Sequence, residues 1–443
     1  MRVLFVPIAG TGHVNAAIGM AQVLLSSGHE CWFDIGADWR DKLRPYGIRM
    51  VGSDTTETED RDDKTDDKDK QNTEKQYLKS HALSMKEKGI LGSESTPLEK
   101  ALLQLEDCDK MFAFQQQQDL HVNQVIRDLR PDVIVCDQFL SLPSVTKSGI
   151  PWVLVCSANP LTSIHHECTP PWFSGLPTNG PKEDWQSYRK ALMTGSRKLK
   201  KLFDDNELAN GLPPLPEMAF INDSKYLNIY GYPLELDYLD LRPLPDNWYR
   251  FDNLMRYDSK PSTKLFEIPD QLRDKPGKLI YFSLGSMGGA DVDNMKRLIA
   301  ILAKSGHRFI VSKGLLGDDY DLPVDNMWGQ PSVPQLEILP LVDLVITHGG
   351  NNTISETIYF GKPMIVMPLF ADQYDNAQRV HEKGFGIRLD AYKCSEEELL
   401  SSIECLLNNN LLTEKLSKIS QRIQSEKSIE KLPQLLLELV HKC

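Results

Sequence analysis

One segment of the sequence concentrates residues that can bind an anion. His348 follows the strand-like run VDLVIT, a glycine pair forms a turn, and a helix is expected to begin at Asn352 or Thr353. A glycine turn that leads into a helix presents unpaired N–H groups and the positive end of the helix dipole to an anion. The side chains of these three residues would add hydrogen bonds. The segment therefore predicts a site for a diphosphate without a metal ion.

The same helix start also has a purely structural explanation. Thr353 and Glu356 fit the capping box T-x-x-E, in which two side chains and two backbone N–H groups satisfy each other. Taken by themselves, these two residues favour the cap, because that motif alone accounts for both.

A second glycine loop lies in the segment FSLGSMGGAD, which follows the first apolar strand of the C-terminal half. The backbone N–H groups of Gly285, Ser286, Met287 and Gly288 would face a crevice at the end of that strand. A tight turn in which the glycines serve only backbone geometry explains the loop equally well.

The N-terminal turn contains a histidine between glycine-rich and helical sequence. Gly10 and Gly12 open a pattern typical of dinucleotide sites, and Asp34 ends the next strand about 20 residues further on. Asn15 replaces the third glycine, and the imidazole of His13 occupies the turn where a pyrophosphate would approach the backbone, so a dehydrogenase is disfavoured. Deprotonation of a hydroxyl needs a base with a pKa near neutrality, which histidine provides. A surface histidine without a catalytic role is the alternative.

Asp137 is the candidate partner of that histidine. It ends the predicted buried strand DVIVCD, and parallel sheets gather functional residues at the carboxyl ends of their strands. A carboxylate on one ring nitrogen fixes the tautomer and stabilises the imidazolium. An aspartate that only caps a turn is the alternative, and Asp132 is a weaker rival. Asp291 and Asp293 have the D-x-D spacing of metal-dependent transferases, but they stand at a predicted helix start, so we interpret them as structural caps.

Short apolar runs alternate with helix-length amphipathic segments along most of the chain. The runs are RVLFVPIA, PDVIVCD, PWVLVCS, KLIYFSLGS, HRFIVSKG, VDLVITHGG and KPMIVMPL. Such alternation is typical of parallel βαβ units. We therefore expect an α/β protein with two doubly wound, Rossmann-like domains. The predicted parts are an N-terminal domain over 1–240, a linker and start of the second domain over 241–276, a C-terminal domain over 250–425, and a last helix over 426–443 that packs back on the first domain.

The composition excludes several classes of partner. The 443 residues carry a net charge of -12 and show no cluster of Lys and Arg, which argues against nucleic acid and anionic membranes. Residues 54–75 include ten acidic and five basic residues and no hydrophobic one, so we expect a disordered acidic loop there.

No apolar stretch reaches the ~20 residues of a membrane span. The eight cysteines show no CxxC pair, which indicates reduced thiols. We expect a soluble, cytoplasmic monomer.

The segment HGGNNTISETIYFGKPMIVMPLFADQYDNAQ, at 348–378, resembles the nucleotide-sugar signature of the inverting UDP-glycosyltransferases of family 1. The order of strands extends the resemblance loosely over the whole chain, and soluble arthropod (mite-like) and bacterial macrolide-type members are the most similar branches. The resemblance implies a GT-B fold, in which two Rossmann-like domains face a central cleft. The first domain would bind the acceptor and the second the nucleotide sugar.

The resemblance also implies roles for individual residues. His13 would be the general base, oriented by Asp137. Within the donor site, Glu356 would bind the ribose hydroxyls, and Asp372 with Gln373 the sugar hydroxyls. The complete set of implied donor-binding residues is Gly12, Gly285, Ser286, Val333, Gln335, His348, Gly350, Asn352, Thr353, Glu356, Asp372 and Gln373.

At one position the sequence departs from the family. Family members have a tryptophan that stacks on uracil two residues before a Pro-Gln pair, and here Ser332 stands before Pro334 and Gln335. Trp328 is a candidate substitute, although a core tryptophan is the favoured interpretation. Backbone amides near Val333 would still read the edge of the base. A thymidine nucleotide donor stays open beside a uridine one.

The implied reaction is transfer of a sugar, foremost glucose from UDP-glucose, to a hydroxyl of a small lipophilic acceptor such as a flavonoid, phenol or xenobiotic. The product would be a β-glycoside, and no metal or cofactor would be required. Met85, Phe112, Phe114 and Trp172 are candidate acceptor-binding residues, each of which fits a core equally well. A nonhydrolysing nucleotide-sugar epimerase and a noncatalytic small-molecule binding protein are the alternatives.

Overall fold

The computed structural model describes residues 1–52, 79–257, 265–322 and 325–442. The expected acidic loop over 54–75 lies outside these residues. Within them, the chain forms a sheet of seven strands and a sheet of six, and every strand pair is parallel. The expected α/β architecture of two doubly wound domains is confirmed.

The N-terminal sheet reverses its strand order at its centre. Its strands are β1 Arg2–Pro7, β2 Glu30–Phe33, β3 Arg49–Met50, β4 Val133–Asp137, β5 Trp152–Cys156, β6 Leu227–Gly231 and β7 Trp248–Phe251. Their order in the sheet is β3-β2-β1-β4-β5-β6-β7. The reversal falls between β1 and β4, where Pro7 lies opposite Asp137. Ligand crevices of open α/β sheets lie at such reversals, so the loops after these two strands are placed to form a site.

The C-terminal sheet repeats this arrangement. Its strands are β8 Leu279–Ser283, β9 Arg308–Ser312, β10 Met327–Gln330, β11 Leu344–Thr347, β12 Met364–Val366 and β13 Gly386–Arg388. Their order is β10-β9-β8-β11-β12-β13, and Ser283 lies opposite Thr347 at the reversal. The two predicted glycine loops of this half therefore leave neighbouring strands at the same edge.

Helices connect the strands of both sheets. They are α1 Thr11–Ser26, α2 Arg40–Leu43, α3 Pro97–Gln104, α4 Cys108–Leu129, α5 Pro143–Lys147, α6 Lys182–Gly195, α7 Arg197–Ala209, α8 Asp270–Arg273, α9 Gly285–Gly288, α10 Val292–Leu302, α11 Gln335–Ile338, α12 Asn351–Tyr359, α13 Gln373–Glu382, α14 Glu396–Leu407, α15 Asn410–Glu426 and α16 Leu432–Lys442. Residues 79–87 are also helical. Short 3-10 turns occur at Ala37–Trp39, Arg44–Tyr46, Pro160–Thr162, Gly317–Asp319, Leu339–Leu341 and Ser428–Lys431. In the described part of the chain, no helix is both long and apolar enough to cross a membrane.

The central strand β1 buries both of its faces. Val3 and Phe5 face a core that is shared with α1, whereas Leu4 and Val6 face a core that continues into the C-terminal domain. Burial on both faces is typical of a central parallel strand and explains the uninterrupted apolar run at the start of the chain.

The last helix packs on the N-terminal domain. Leu432, Leu436 and Leu439 recur at helical spacing on α16 and lie in the same core as Val14 and Ala17 of α1. The C-terminal end of the chain thus covers the outer face of the first sheet.

The predicted end of the N-terminal domain at residue 240 requires correction. Strand β7 pairs with β6 in the first sheet, so that sheet extends to Phe251 and includes part of the predicted linker over 241–276. The strand has the sequence WYRF and lies at the edge of the sheet, where its two central residues are only half-buried. An edge strand needs no continuous apolar run, and for this reason the pattern of the sequence did not mark it.

A loop of the N-terminal domain holds the two domains together beside α13. The carboxylate of Asp375 accepts hydrogen bonds from the backbone N–H groups of Phe173, at 2.6 Å, and Gly175, at 2.9 Å. Glu382 accepts one from the backbone of Thr178 at 2.7 Å. These contacts fix the distance between the two sheet edges and so define the cleft between them.

Candidate active site

A cleft of about 1740 Å³ lies between the carboxyl ends of the two sheets. The loops that follow β1, β4 and β5 line it from one side, and those that follow β8, β11 and β12 line it from the other. All twelve residues predicted to bind the donor are among its walls, as is His13. Asp137 lies behind His13, where it is buried.

Three side chains meet at the reversal of the first sheet. His13 stands in the first turn of α1, Asp137 ends β4, and Ser157 follows β5. The Nδ1 atom of His13 lies 3.0 Å from Oδ2 of Asp137, and Oγ of Ser157 lies 2.7 Å from both of these atoms. The neighbouring positions of β1, β4 and β5 produce this arrangement, because their carboxyl ends meet at one edge.

The hydrogen bonds assign the tautomer of His13. An ionised Asp137 only accepts, so Nδ1 carries the proton and donates it, while the Ser157 hydroxyl also donates to Asp137. Nε2 is then the unprotonated nitrogen. Burial lowers the pKa of His13, but the charge and hydrogen bond of Asp137 and the charge of Asp372 outweigh it, so the pKa is raised above its usual value. This is the arrangement of a base that retains a proton readily.

The reversal of the second sheet forms a glycine-lined pocket around His348. A Cβ atom on Gly285 or on Gly350 would lie 2.7 Å from the imidazole ring, so glycine is needed at both positions. Burial lowers the pKa of His348 to about 4, with a partial offset from a hydrogen bond to the backbone of Ser283. His348 is therefore neutral at pH 7 and carries a single ring N–H group, which the backbone oxygen of Ser283 accepts in this structure.

The capping-box explanation for Thr353 and Glu356 does not hold. Helix α12 begins at Asn351 with Gly350 as its N-cap, and no side chain caps it. The carboxamide nitrogen of Gln335 instead donates to Oγ1 of Thr353 at 3.3 Å and to Oε2 of Glu356 at 2.5 Å. The N–H groups at the start of α12 thus stay available to an anion in the cleft.

Two asparagines of α12 connect the second domain to the catalytic candidates of the first. Asn352 donates through Nδ2 to the backbone oxygen of Gly12 at 2.7 Å, next to His13. Asn351 donates to the backbone oxygens of Ser157 and Gly231, each at 3.0 Å. The helix that would bind an anion is therefore tied directly to the turn that carries the histidine.

Asp372 and Gln373 present different groups to the cleft. Oδ2 of Asp372 accepts a hydrogen bond from the backbone N–H of Asn159 at 2.9 Å. Oε1 of Gln373 accepts from the backbone N–H groups of Leu369, at 2.9 Å, and Phe370, at 3.3 Å. Because its carbonyl is occupied, Gln373 has its NH₂ group left for a ligand, whereas Asp372 offers a carboxylate.

A family model described as "UDP-glucoronosyl and UDP-glucosyl transferase" matches residues 241–436. Those residues, in the C-terminal part of the chain, are similar to this family. UDP-glucuronosyltransferase 2B18 of Macaca fascicularis is 36% identical over 179 residues, which are 39% of this chain and 33% of that protein. The uncharacterized UDP-glucosyltransferase YojK of Bacillus subtilis is 37% identical over 120 residues, 27% of this chain and 29% of that protein. The chain thus matches about a third of the length of these relatives.

Solved glycosyltransferase structures share the fold over the entire chain. The glycotransferase of kitacinnamycin superposes with a TM-score of 0.66 at 16% identity, over 99% of both chains. The spinosyn rhamnosyltransferase SpnG superposes with a TM-score of 0.63 at 19% identity, over 98% of this chain and 100% of that one. The GT-B fold expected from the resemblance is confirmed.

The side of the cleft that was predicted to bind the nucleobase departs from the family pattern. Ser332 and Val333 line the cleft where the family has its Trp-x-Pro-Gln segment. Trp328 packs against Phe266, with ring centroids 5.7 Å apart, and is thus a packing residue of β10 rather than a substitute for the family tryptophan. The preference for a core tryptophan at this position agrees with the structure.

Two of the four residues predicted to bind the acceptor line the cleft, and the other two do not. Phe114 and Trp172 line the cleft. Met85 is buried in the main core, and Phe112 packs edge-on against Phe203 with ring centroids 5.2 Å apart, so the prediction for these two is corrected. Phe112 and Phe114 are two residues apart on α4, about 200° around the helix, and therefore face opposite directions.

Two acidic motifs that resemble other enzyme classes have structural partners. Asp34, the candidate ribose ligand of a dehydrogenase, binds Nε2 of His121 at 2.8 Å. Asp291 stands at the N-cap of α10, but its side chain caps no backbone N–H group, so the predicted cap is wrong. The two aspartates instead bind Lys86, Asp291 at 3.0 Å and Asp293 at 3.1 Å, which is still a structural role. Among the described residues, no cluster of three or more His, Cys, Asp or Glu side chains is placed to hold a metal ion.

Ser157 is the main residue that sequence reasoning missed. It follows the apolar run PWVLVC as directly as Asp137 follows its own strand, so its position at a strand end was a usable signal. Asn159 is a second case, since its side chain lies in a buried network with Tyr232, Tyr238 and Asn376. Serine and asparagine at strand ends are common turn residues, and only the fold shows which of them face the cleft.

Proposed function

We propose that the chain transfers a sugar, foremost glucose from UDP-glucose, to a hydroxyl of a small lipophilic acceptor and forms a β-glycoside. One observation carries the proposal. The His13–Asp137–Ser157 group and the glycine-lined turn at His348 face the same cleft, joined by the hydrogen bond from Asn352. A base and an anion-binding helix end are the two parts that inverting transfer from a nucleotide diphosphate requires.

In the proposed reaction, Nε2 of His13 accepts the proton of the acceptor hydroxyl. The acceptor oxygen forms a bond to the anomeric carbon, and the bond from that carbon to the diphosphate oxygen breaks. The electron pair of the broken bond leaves with the diphosphate, and the proton stays on His13. Asp137 stabilises the resulting imidazolium through its hydrogen bond to Nδ1. Attack opposite to the leaving group inverts the configuration at the anomeric carbon.

The charge of the leaving diphosphate would be met by neutral donors. The start of α12 contributes backbone N–H groups and the positive end of its dipole, and the loop at Gly285 contributes further N–H groups. His348 would add its single imidazole N–H, with a diphosphate oxygen replacing the Ser283 oxygen as its acceptor, because the lowering of its pKa to about 4 keeps the ring neutral. We propose that these groups act without a metal ion.

The lining of the cleft supports a lipophilic acceptor and a neutral sugar. Trp172, Phe114, Met218 and Phe220 provide apolar surface on the side of the N-terminal domain. At the opposite side, the carboxylate of Asp372 would bind the hydroxyls of a neutral hexose, whereas it would repel the carboxylate of a uronate. The apolar wall also favours a transferase over an epimerase, since an epimerase binds no acceptor.

The proposal is tested with the purified chain, UDP-glucose and a panel of phenols and alcohols, in buffer without divalent metal. Mass spectrometry should detect a glucosylated acceptor, and NMR of that product should show a β-linkage. Parallel reactions with TDP-glucose decide the nucleobase preference, which the position of Ser332 leaves open. Conversion of the nucleotide sugar without any acceptor would identify an epimerase, and tight binding without turnover of any nucleotide sugar would identify a noncatalytic binding protein.

A further inference from the structure

Lys100 is a buried lysine of the N-terminal domain whose ammonium group ends in the C-terminal domain. Its side chain extends from α3, and the residue is only 2% exposed. Nζ donates to two backbone oxygens, that of Gly92 at 2.8 Å and that of Leu369 at 2.9 Å. The rings of Tyr374 and Tyr392 surround it, with centroids 5.8 and 5.5 Å away. Burial lowers its pKa to about 8, while the charge of Asp390 raises it and that of Lys393 lowers it.

Such a position is costly for a lysine. Within the described residues, no carboxylate forms an ion pair with Nζ, so two carbonyl oxygens and two tyrosine rings replace the lost water. A methionine or leucine would fill the same space without this cost. The reason for a lysine at this buried position must therefore lie in the groups that its ammonium group binds.

Leu369 connects Lys100 to the predicted sugar site. The backbone oxygen of Leu369 accepts from Lys100 and also from the hydroxyl of Tyr374 at 3.0 Å. The backbone N–H of the same residue donates to Oε1 of Gln373. The loop is strained two residues further on, because Ala371 has φ 53, in the left-handed region that disfavours a non-glycine residue. Hydrogen bonds to both the carbonyl oxygen and the N–H group of Leu369 are thus needed to hold this loop.

We propose that Lys100 is a positioning residue for recognition of the donor sugar. It fixes the peptide groups of Leu369 so that they hold the carbonyl of Gln373, which turns the NH₂ group of Gln373 toward the sugar hydroxyls. The proposal rests on the proposed function, in which the cleft binds a nucleotide sugar. It adds that the N-terminal domain takes part in selecting the sugar, through a side chain that does not contact it.

Lys86 provides a matched control within the same chain. It too extends from the N-terminal domain to the C-terminal domain, where it binds Asp291 and Asp293 at the start of α10. Among the described residues, no hydrogen bond or ion pair joins these aspartates to the loop 368–373. A general effect of removing a lysine from the domain interface should therefore appear in both variants. A specific effect on sugar binding should appear only in the variant that lacks Lys100.

The experiment compares full-length Lys100→Met and Lys86→Met with the unchanged chain by calorimetric titration with UDP and with UDP-glucose. In Lys100→Met, the Kd for UDP-glucose should rise about tenfold while the Kd for UDP stays unchanged, because UDP lacks the glucose that would contact Gln373. Lys86→Met should leave both values unchanged. Unchanged UDP affinity also shows that the variant is folded.

A second measurement links the effect to Gln373. Tyr374→Phe, which removes the other donor to Leu369, should raise the Kd for UDP-glucose in the same direction but less. In Gln373→Ala, the further change Lys100→Met should have almost no effect, since the two residues act as one unit. Additive effects of Lys100→Met and Gln373→Ala would overturn the proposal, as would equal losses of UDP and UDP-glucose affinity. If the unchanged chain binds UDP but not UDP-glucose or any other nucleotide sugar, the proposed function fails instead.

Discussion

The two sheets have the same topology at their reversals but carry different chemistry there. In the N-terminal sheet, a histidine after β1 faces an aspartate at the end of β4. In the C-terminal sheet, a glycine loop after β8 faces a histidine after β11. The pKa of His13 is raised and that of His348 is lowered to about 4, although burial acts in the same direction on both. Only His13 has a carboxylate beside it. The fold thus provides two equivalent positions, and the neighbouring carboxylates, Asp137 above all, separate them into a proposed base and a neutral imidazole.

The strongest test of this difference replaces each of the two histidines with alanine, in separate variants. His13→Ala should lower kcat by about a hundredfold to ten-thousandfold, because the proposed base is lost, and leave the Kd for UDP unchanged. His348→Ala should instead raise the Kd for UDP by about tenfold, because one hydrogen bond to a phosphate is lost. Steady-state kinetics and calorimetry measure both quantities. If the two variants lose the same quantity, the two reversals do not differ in the way described.

Asp137→Asn removes the charge that separates the two histidines. Catalysis requires neutral His13, so kcat/KM should fall as the pH drops through the pKa of His13, which lies above its usual value. Loss of the Asp137 charge lowers that pKa, so the acidic limb of the profile should move to lower pH. The plateau should fall by roughly a hundredfold or more, since the tautomer is no longer fixed. A pH profile of kcat/KM over pH 5 to 9 measures both effects. If the acidic limb does not move, a group other than His13 controls the pH dependence of kcat/KM.

Gly350→Ala tests the glycine-lined pocket of the second reversal without straining the backbone. Gly350 has φ -59, which alanine adopts freely, but its Cβ atom would lie 2.7 Å from the ring of His348. Displacement of that ring should weaken UDP binding by about tenfold. Gly306→Ala is the control, because a Cβ atom there meets no atom within 4 Å. Calorimetric titration with UDP should distinguish the two, and equal affinities would mean that the ring adjusts without cost.

Ser157→Ala is expected to have the smallest effect. The serine donates to Asp137 and touches Nδ1 of His13, but the direct contact between those two residues remains without it. We expect kcat to fall by about threefold to tenfold, in proportion to one hydrogen bond. Ser157→Thr keeps the hydroxyl and should restore part of the rate, whereas Ser157→Cys should not. A variant with full activity would reduce Ser157 to a packing role.

The positions of candidate site residues could be predicted from the sequence where they depend on the ends of strands. His13, Asp137 and His348 each follow an apolar run, and parallel strands bring their carboxyl ends to one edge, so their grouping could be inferred. Prediction failed where a side chain direction depends on the packing of an irregular or polar element. Met85 and β7 are examples, since neither the core position of the first nor the pairing of the second leaves a distinct pattern.

The α/β class, the two doubly wound domains and the residues at the two reversals follow from local periodicity and from the positions of glycines, so they could be inferred from the chain alone. Three features required the three-dimensional arrangement: the direction in which the pKa of each histidine is shifted, the contact of Ser157 with His13 and Asp137, and the contact of Lys100 with Leu369 of the other domain. The reason is physical. Desolvation and hydrogen bonding depend on atoms that lie far apart in the chain, and the contact between Lys100 and Leu369 joins residues 269 positions apart.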